Sequence, residues 1–128
     1  MPDIALTLAP VPESIPIARH TLDRLADALE NPTLDNLRLL VSEVVTNSVR
    51  HSTSEGTVEL RVTVNPYRVR VEVEDHGPGF DPTLADDSLE RSSGWGLLLV
   101  DRLAARWGVV SSLTTTVWFE LDRPARRA

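Results

Sequence analysis

"TVELRVTVNPYRVRVEVEDHGPGF", residues 57–80, is the stretch that decides the fold. Val58, Leu60, Val62 and Val64 alternate with polar partners, and Val69, Val71 and Val73 do the same after the turn Asn65-Pro66-Tyr67-Arg68. Alternation of period two on both sides of a turn predicts an antiparallel hairpin with one apolar and one solvated face. The apolar face needs a second layer to cover it. The second strand ends at Asp75, and Gly77 and Gly79 follow two residues apart. Bare backbone past a strand end serves equally as a tight turn and as a place where a flat ligand can approach. In the second case the Asp75 carboxylate would accept hydrogen bonds from a donor such as the exocyclic amine of adenine.

Working outward, residues 4–9 (IALTLA) read as a first strand, at a sheet edge because Pro10 and Pro12 follow. From Ser14 to Glu30, Ile15, Ala18, Leu22, Leu25, Ala26 and Leu29 recur at helical spacing, with Ser14 as N-cap and Pro16 in the first turn. Asn31-Pro32 ends that helix, and Thr33 can cap a second that runs to about His51. Residues 76–93 form a loop of Gly, Pro, Ser and Asp, and loops of that length are commonly functional or mobile. "GLLLVDRLAARW" (96–107) is a third helix, and strands near 107–112 and 115–121 close the chain. The order predicts an α/β (α+β) two-layer sandwich: a mixed, mainly antiparallel sheet with three helices on one face. Residues 1–122 form one domain in this reading, and 123–128 a basic, solvated tail.

Composition removes several chemistries. The chain of 128 residues has no cysteine, so disulfides, thiolate metal sites and cysteine nucleophiles are excluded. All 13 basic residues are arginine, which excludes a P-loop lysine, a Schiff-base lysine and a lysine general base. Any phosphate held here is held by arginine, backbone N–H groups or a metal ion. A net charge of -6 argues against a nucleic-acid partner. No apolar run reaches membrane-spanning length and the N-terminus lacks a signal-peptide layout, so a cytoplasmic protein is expected.

The second helix carries the candidate chemistry. "LRLLVSEVVTNSVRHS" (37–52) spaces Glu43, Asn47 and His51 four residues apart. At 100° per residue, Leu37, Leu40, Val41, Val44 and Val45 cover an apolar arc of roughly 140°. Glu43 and Asn47 fall just outside one edge of the arc, and His51 just inside it. That position suits a pocket wall and equally an ordinary amphipathic boundary. A Glu there can serve as general base, and an Asn carbonyl can ligate a hard cation such as Mg²⁺.

Neither glycine cluster fits a common phosphate loop. The third glycine of a dinucleotide motif is missing after Gly79, the Walker pattern fails for want of lysine, and glycines occupy the calcium-loop ligand positions after Asp75. The second cluster, Ser93-Gly94-Trp95-Gly96, opens the third helix, where exposed N–H groups favour an anion. A plain cap by Ser92 or Ser93 is the alternative. Arg91 between the clusters could add charge toward a phosphate.

Taken in order, Glu43-Val-Val-Thr-Asn47-Ser-Val-Arg-His51, Asp75-His-Gly77-Pro-Gly79 and Gly94-Trp-Gly96-Leu resemble the N box and two glycine boxes of the GHKL superfamily of ATP-binding domains (the Bergerat fold). The resemblance covers roughly residues 10–122 and is nearest to the anti-sigma factor serine kinases and small actinobacterial ATP-binding regulators. It implies ATP and Mg²⁺ as cofactors. Asn47 would hold the Mg²⁺, Glu43 would be the base on the attacking hydroxyl, and Asp75 would bond the adenine amine. Gly77 and Gly79 would floor the pocket, Gly94 and Gly96 would border the phosphates, and a threonine on the last strands would approach the adenine. Alternation puts Thr115, not Thr116, on the face of Val117, Phe119 and Leu121. Two departures stand out: Thr114-Thr115-Thr116 replaces the Gly-Lys-Thr of many small relatives, and Trp95 is bulky for a lid position.

The resemblance implies a serine/threonine-protein kinase that binds a sigma factor and phosphorylates a STAS-domain anti-anti-sigma protein. A homodimer is compatible with it, and direct contact with nucleic acid or membrane is not expected. Two other readings compete. One is a non-catalytic, ATP-responsive binding module. The other is a histidine kinase catalytic domain, which would need a dimerisation helix pair for which the chain leaves no room.

Overall fold

The computed structural model describes residues 1–52, 56–76 and 95–124. The order is β1 (Ile4–Leu8), α1 (Ser14–Thr21), a 3-10 turn (Leu22–Leu25), α2 (Asn31–His51), β2 (Val58–Val64), β3 (Arg68–Asp75), α3 (Trp95–Leu103), β4 (Arg106–Ser111) and β5 (Thr115–Asp122). The five strands form one sheet in the order β1-β2-β3-β5-β4, and each of the four ladders is antiparallel.

The opening hairpin forms as its alternation demands. Val58, Leu60, Val62, Val69, Val71 and Val73 are fully buried under the helices. The turn is held by Asn65, whose side-chain oxygen accepts hydrogen bonds from the backbone N–H of Tyr67 (2.8 Å) and Arg68 (2.9 Å). That bonding stands in for a backbone turn and explains why a short polar residue precedes Pro66. Val117, Phe119 and Leu121 of β5 extend the same inner face. Leu37, Leu40, Val41, Val44 and Val45 of α2 pack over it.

The opposite sheet face is a lattice of arginine and glutamate. Arg61 bonds Glu72 and Glu74 at 3.1 and 3.2 Å. Arg70 and Arg106 both reach Glu120, at 3.0 and 2.6 Å. Arg70 also lies 4.5 Å from the centre of the Trp118 ring. Opposite charges on neighbouring strands of a solvated face are the sheet counterpart of helical i,i+4 pairs.

Several expectations are corrected. Ser14 is the first residue of α1, not its cap, and the third helix ends at Leu103, so that Trp107 already lies in β4. The first helix stops at Thr21 rather than Glu30, because the chain tightens into i→i−3 bonds: Ala26 N–H to the Asp23 carbonyl at 3.1 Å and Ala28 N–H to that of Leu25 at 3.0 Å. Leu22 and Leu25 are three apart, a spacing that suits either helix type, so apolar periodicity could not separate them. α2 begins at Asn31, with Pro32 in its first turn, and Thr33 is buried inside the helix instead of capping it. Arg123 is not a solvated tail residue. Its side chain is 5% exposed and donates to the carbonyls of Ala28 (2.8 Å) and Asn65 (2.9 Å) and to the Glu30 carboxylate (3.0 Å). Residues 125–128 lie outside the described residues.

Candidate nucleotide-binding site

The topology brings the end of β3 and the start of β5 together. β3 and β5 are antiparallel, and Asp75 at the end of β3 stands opposite Thr115 at the start of β5. At the other end of the same ladder, Arg68 faces Asp122. Leu103, the last residue of α3, and Ala104 share a groove with Leu121, Asp122 and Arg123, so α3 ends there. Asn36 of α2 lines that same groove. Asn47 lies eleven residues further along α2, about 16 Å from Asn36 by helical rise.

The flanks of α2 are also assigned. Arg38 pairs with Asp23 at 2.7 Å, which turns its flank toward the segment after α1. Asn36 is on the other flank, beside the C-terminal end of α3. Asn36, Glu43 and Asn47 share one stripe, since they fall within roughly 40° of each other at 100° per residue. Glu43 and Asn47 therefore lie on the α3 side of α2, and both are half-buried. His51, the last residue of α2, is exposed at the helix end, where the apolar arc no longer meets the core.

Asp75 is 3% exposed and Thr115 is 2% exposed. They are polar groups at the mouth of an otherwise aliphatic inner face. Thr116 points to the other side of the sheet, where it is paired with Glu74 in the register and half-buried. The neighbouring Thr114 hydroxyl donates to Glu74 at 2.7 Å. That bond, with Arg61, holds the Glu74 carboxyl below the usual range. The three consecutive threonines are thus divided between the two faces by the pleat.

Gly96 lies in the first turn of α3. Gly77, Gly79, Gly94 and Arg91 lie outside the described residues, as does the Trp95 side chain. One pair of residues escaped the motif reading. A Cβ on Gly56 would stand 2.7 Å from His76 Cβ, so β2 and β3 approach closely where β3 leaves the sheet. The only local signal was an isolated glycine just before a strand.

Known proteins resemble this chain in sequence and in fold. Serine-protein kinase RsbW of Listeria monocytogenes (serotype 4a, strain HCC23) is 27% identical over 116 residues, which cover 78% of this chain and 74% of its own. The catalytic domain of histidine kinase ThkA, in a nucleotide-free form, superposes with a TM-score of 0.59 over 94% of this chain and 98% of that one, at 11% identity, a likeness of fold alone. Full-length ShkA in complex with AMPPNP matches with a TM-score of 0.55 at 28% identity over 72% of this chain, which spans 22% of the ShkA chain. The family model described as "Histidine kinase-like ATPase domain" matches residues 8–120. With that match over nearly its whole length, and with a helix-covered antiparallel sheet of the same kind, this chain belongs to the histidine kinase-like ATPase domain family.

Proposed function

We propose that the chain is an ATP- and Mg²⁺-dependent serine/threonine-protein kinase of the anti-sigma type, working in the cytoplasm. It would bind a sigma factor and phosphorylate a STAS-domain anti-anti-sigma protein. The observation that carries the reading is the buried pair of polar residues, Asp75 and Thr115, facing each other across the β3–β5 ladder. In this reading the Glu43–Asn47 flank of α2 and the start of α3 would face that pair. The likeness to RsbW, named a serine-protein kinase, supports the choice of reaction.

In this reading Asp75 accepts a hydrogen bond from the adenine amine, and the Thr115 hydroxyl completes the polar edge of an otherwise apolar pocket. Gly77 and Gly79 floor that pocket, and Gly94 and Gly96 approach the phosphates. Among the described residues no three His, Asp or Glu side chains converge to hold a metal by themselves. Mg²⁺ takes few protein ligands and completes its shell with water and phosphate oxygens. Asn47 supplies the amide oxygen for it. Bound there, Mg²⁺ would neutralise phosphate charge. Glu43 takes the proton from the attacking seryl hydroxyl as the new O–P bond forms and the bond to the ADP oxygen breaks. Positioning and charge neutralisation carry most of such a transfer.

Calorimetry with ATP and Mg²⁺ tests the site on wild type, Asn47→Ala and Asp75→Asn. Unchanged affinity in both variants would remove the assignment. Transfer of labelled γ-phosphate to STAS proteins encoded near this chain, absent in Glu43→Ala, tests the reaction. ATP binding with no transfer to any candidate would instead indicate a non-catalytic binding module.

A further inference from the structure

The β2–β3 ladder has its last paired rung at Glu59 and Glu74. Continuing that register puts Val58 opposite Asp75 and Thr57 opposite His76. The His76 ring spans this gap: its Nδ1 lies 3.3 Å from the Thr57 carbonyl oxygen. A carbonyl can only accept, so Nδ1 carries the proton. The ring lies against Gly56, where an added Cβ would be 2.7 Å from His76 Cβ, 3.1 Å from Cγ and 3.2 Å from Nδ1. The tightest of these contacts is to Cβ, which is tied to the backbone and cannot swing away. Only glycine at position 56 lets the imidazole occupy this place.

We propose that His76, seated on Gly56 and bonded to the Thr57 carbonyl, is a positioning residue for Asp75, fixing the end of β3 so that the Asp75 carboxylate meets a 6-amino purine. This rests on the nucleotide reading above and adds to it a determinant of base selectivity. Asp75 is the last residue of β3 and is anchored on one side by its register with Thr115. On the β2 side the His76 side chain takes the place of a backbone rung, one residue beyond the carboxylate. A hydrogen-bonding group discriminates between ligands only when held at the distance and angle of the bond it must make. His76 touches no ligand in this account and acts through Asp75.

The test compares ATP with inosine triphosphate, which carries an oxo group in place of the amine, by calorimetry with Mg²⁺. The variants are Asp75→Asn, His76→Leu, His76→Asn and Gly56→Ala, each checked by thermal melting. Wild type is expected to prefer ATP. His76→Leu should lose about tenfold in ATP affinity, the equivalent of one hydrogen bond, with little change for inosine triphosphate. His76→Asn, whose amide can donate from nearly the position of Nδ1, should retain the preference within about threefold. Gly56→Ala, made on the other strand, should behave as His76→Leu. Equal losses for both nucleotides in His76→Leu would reveal a general structural role and overturn the proposal. So would a wild-type preference kept in His76→Leu while Asp75→Asn loses it. Wild type that binds neither nucleotide would overturn the site assignment itself, and the positioning role with it.

Discussion

Asp75 and Thr115 stand opposite one another across the β3–β5 ladder, forty residues apart in sequence, and both are almost wholly buried. In the nucleotide reading, a ligand that presents a donor to this polar edge gains affinity from it. Asp75→Asn is expected to weaken ATP binding by about tenfold to a hundredfold, and Thr115→Val by about threefold to tenfold. Thr116→Val, on the opposite face, should leave affinity unchanged. Calorimetry on the three variants checks the ranking.

Arg123 closes the other end of the same strand, about 25 Å from Thr115 by strand rise. It joins the segment before α2, the β2–β3 turn and β5 through Ala28, Asn65 and Glu30. Arg123→Ala would remove these hydrogen bonds and is expected to cost about 1–3 kcal/mol in urea unfolding. Arg123→Lys should recover little of this, because one ammonium group cannot reproduce the planar fork. ATP affinity, measured at a temperature where both variants are folded, should not change.

Glu120 is gripped by Arg106 and Arg70, and those hydrogen bonds hold its carboxyl below the usual range against the opposing effect of burial. Glu74 is lowered in the same direction, first by the Thr114 hydroxyl and then by Arg61. Where the folded-state value lies below the unfolded one, the unfolded chain binds more protons, so stability rises with pH across that window. The stabilisation is fully present above the unfolded value of about 4.3 and is lost as pH falls through the folded values. Unfolding curves from pH 7 to pH 3 should show this loss. Glu120→Gln should be less stable than wild type at pH 7, and the difference should shrink on acidification.

Gly108 lies beneath the Trp118 indole: a Cβ there would be 2.8 Å from Nε1 and 3.1 Å from Cε2. Gly108→Ala should displace the ring from the Arg70 guanidinium and lower stability by about 1 kcal/mol, overpacking outweighing the entropy gained by removing a glycine. Combined with Trp118→Val, the same substitution should become neutral or stabilising. A thermal double-mutant cycle measures the coupling.

Much of this protein was legible in the chain itself. The period-two runs at 58–64 and 69–75 predicted both strands and their buried faces, because alternation is a local record of which side meets the core. Extending it to 115–121 put Thr115, and not Thr116, on the inner face, as the structure shows. The apolar arc of α2 likewise put Glu43 and Asn47 at its rim, and the three short motifs in order pointed to the family that the comparisons show.

Other features depended on contacts between segments far apart in sequence, which no local pattern records. That β3 pairs with β5 and so sets Asp75 against Thr115 was decided by the sheet order. The flank of α2 that faces α3 was decided by packing on both sides of that helix. Arg123 looked like the start of a solvated tail because its acceptors come from residues 28, 30 and 65, and only the folded chain assembles them. Gly56 lies in no motif and His76 only fills the gap between Asp75 and Gly77 of the first glycine box, yet the close approach of two strand ends joins them. Residue pattern determined which faces are buried, since that follows from the hydrophobic effect acting along each element. Tertiary structure decided which buried faces meet, and so which polar groups share a site, since that depends on shape and register between elements.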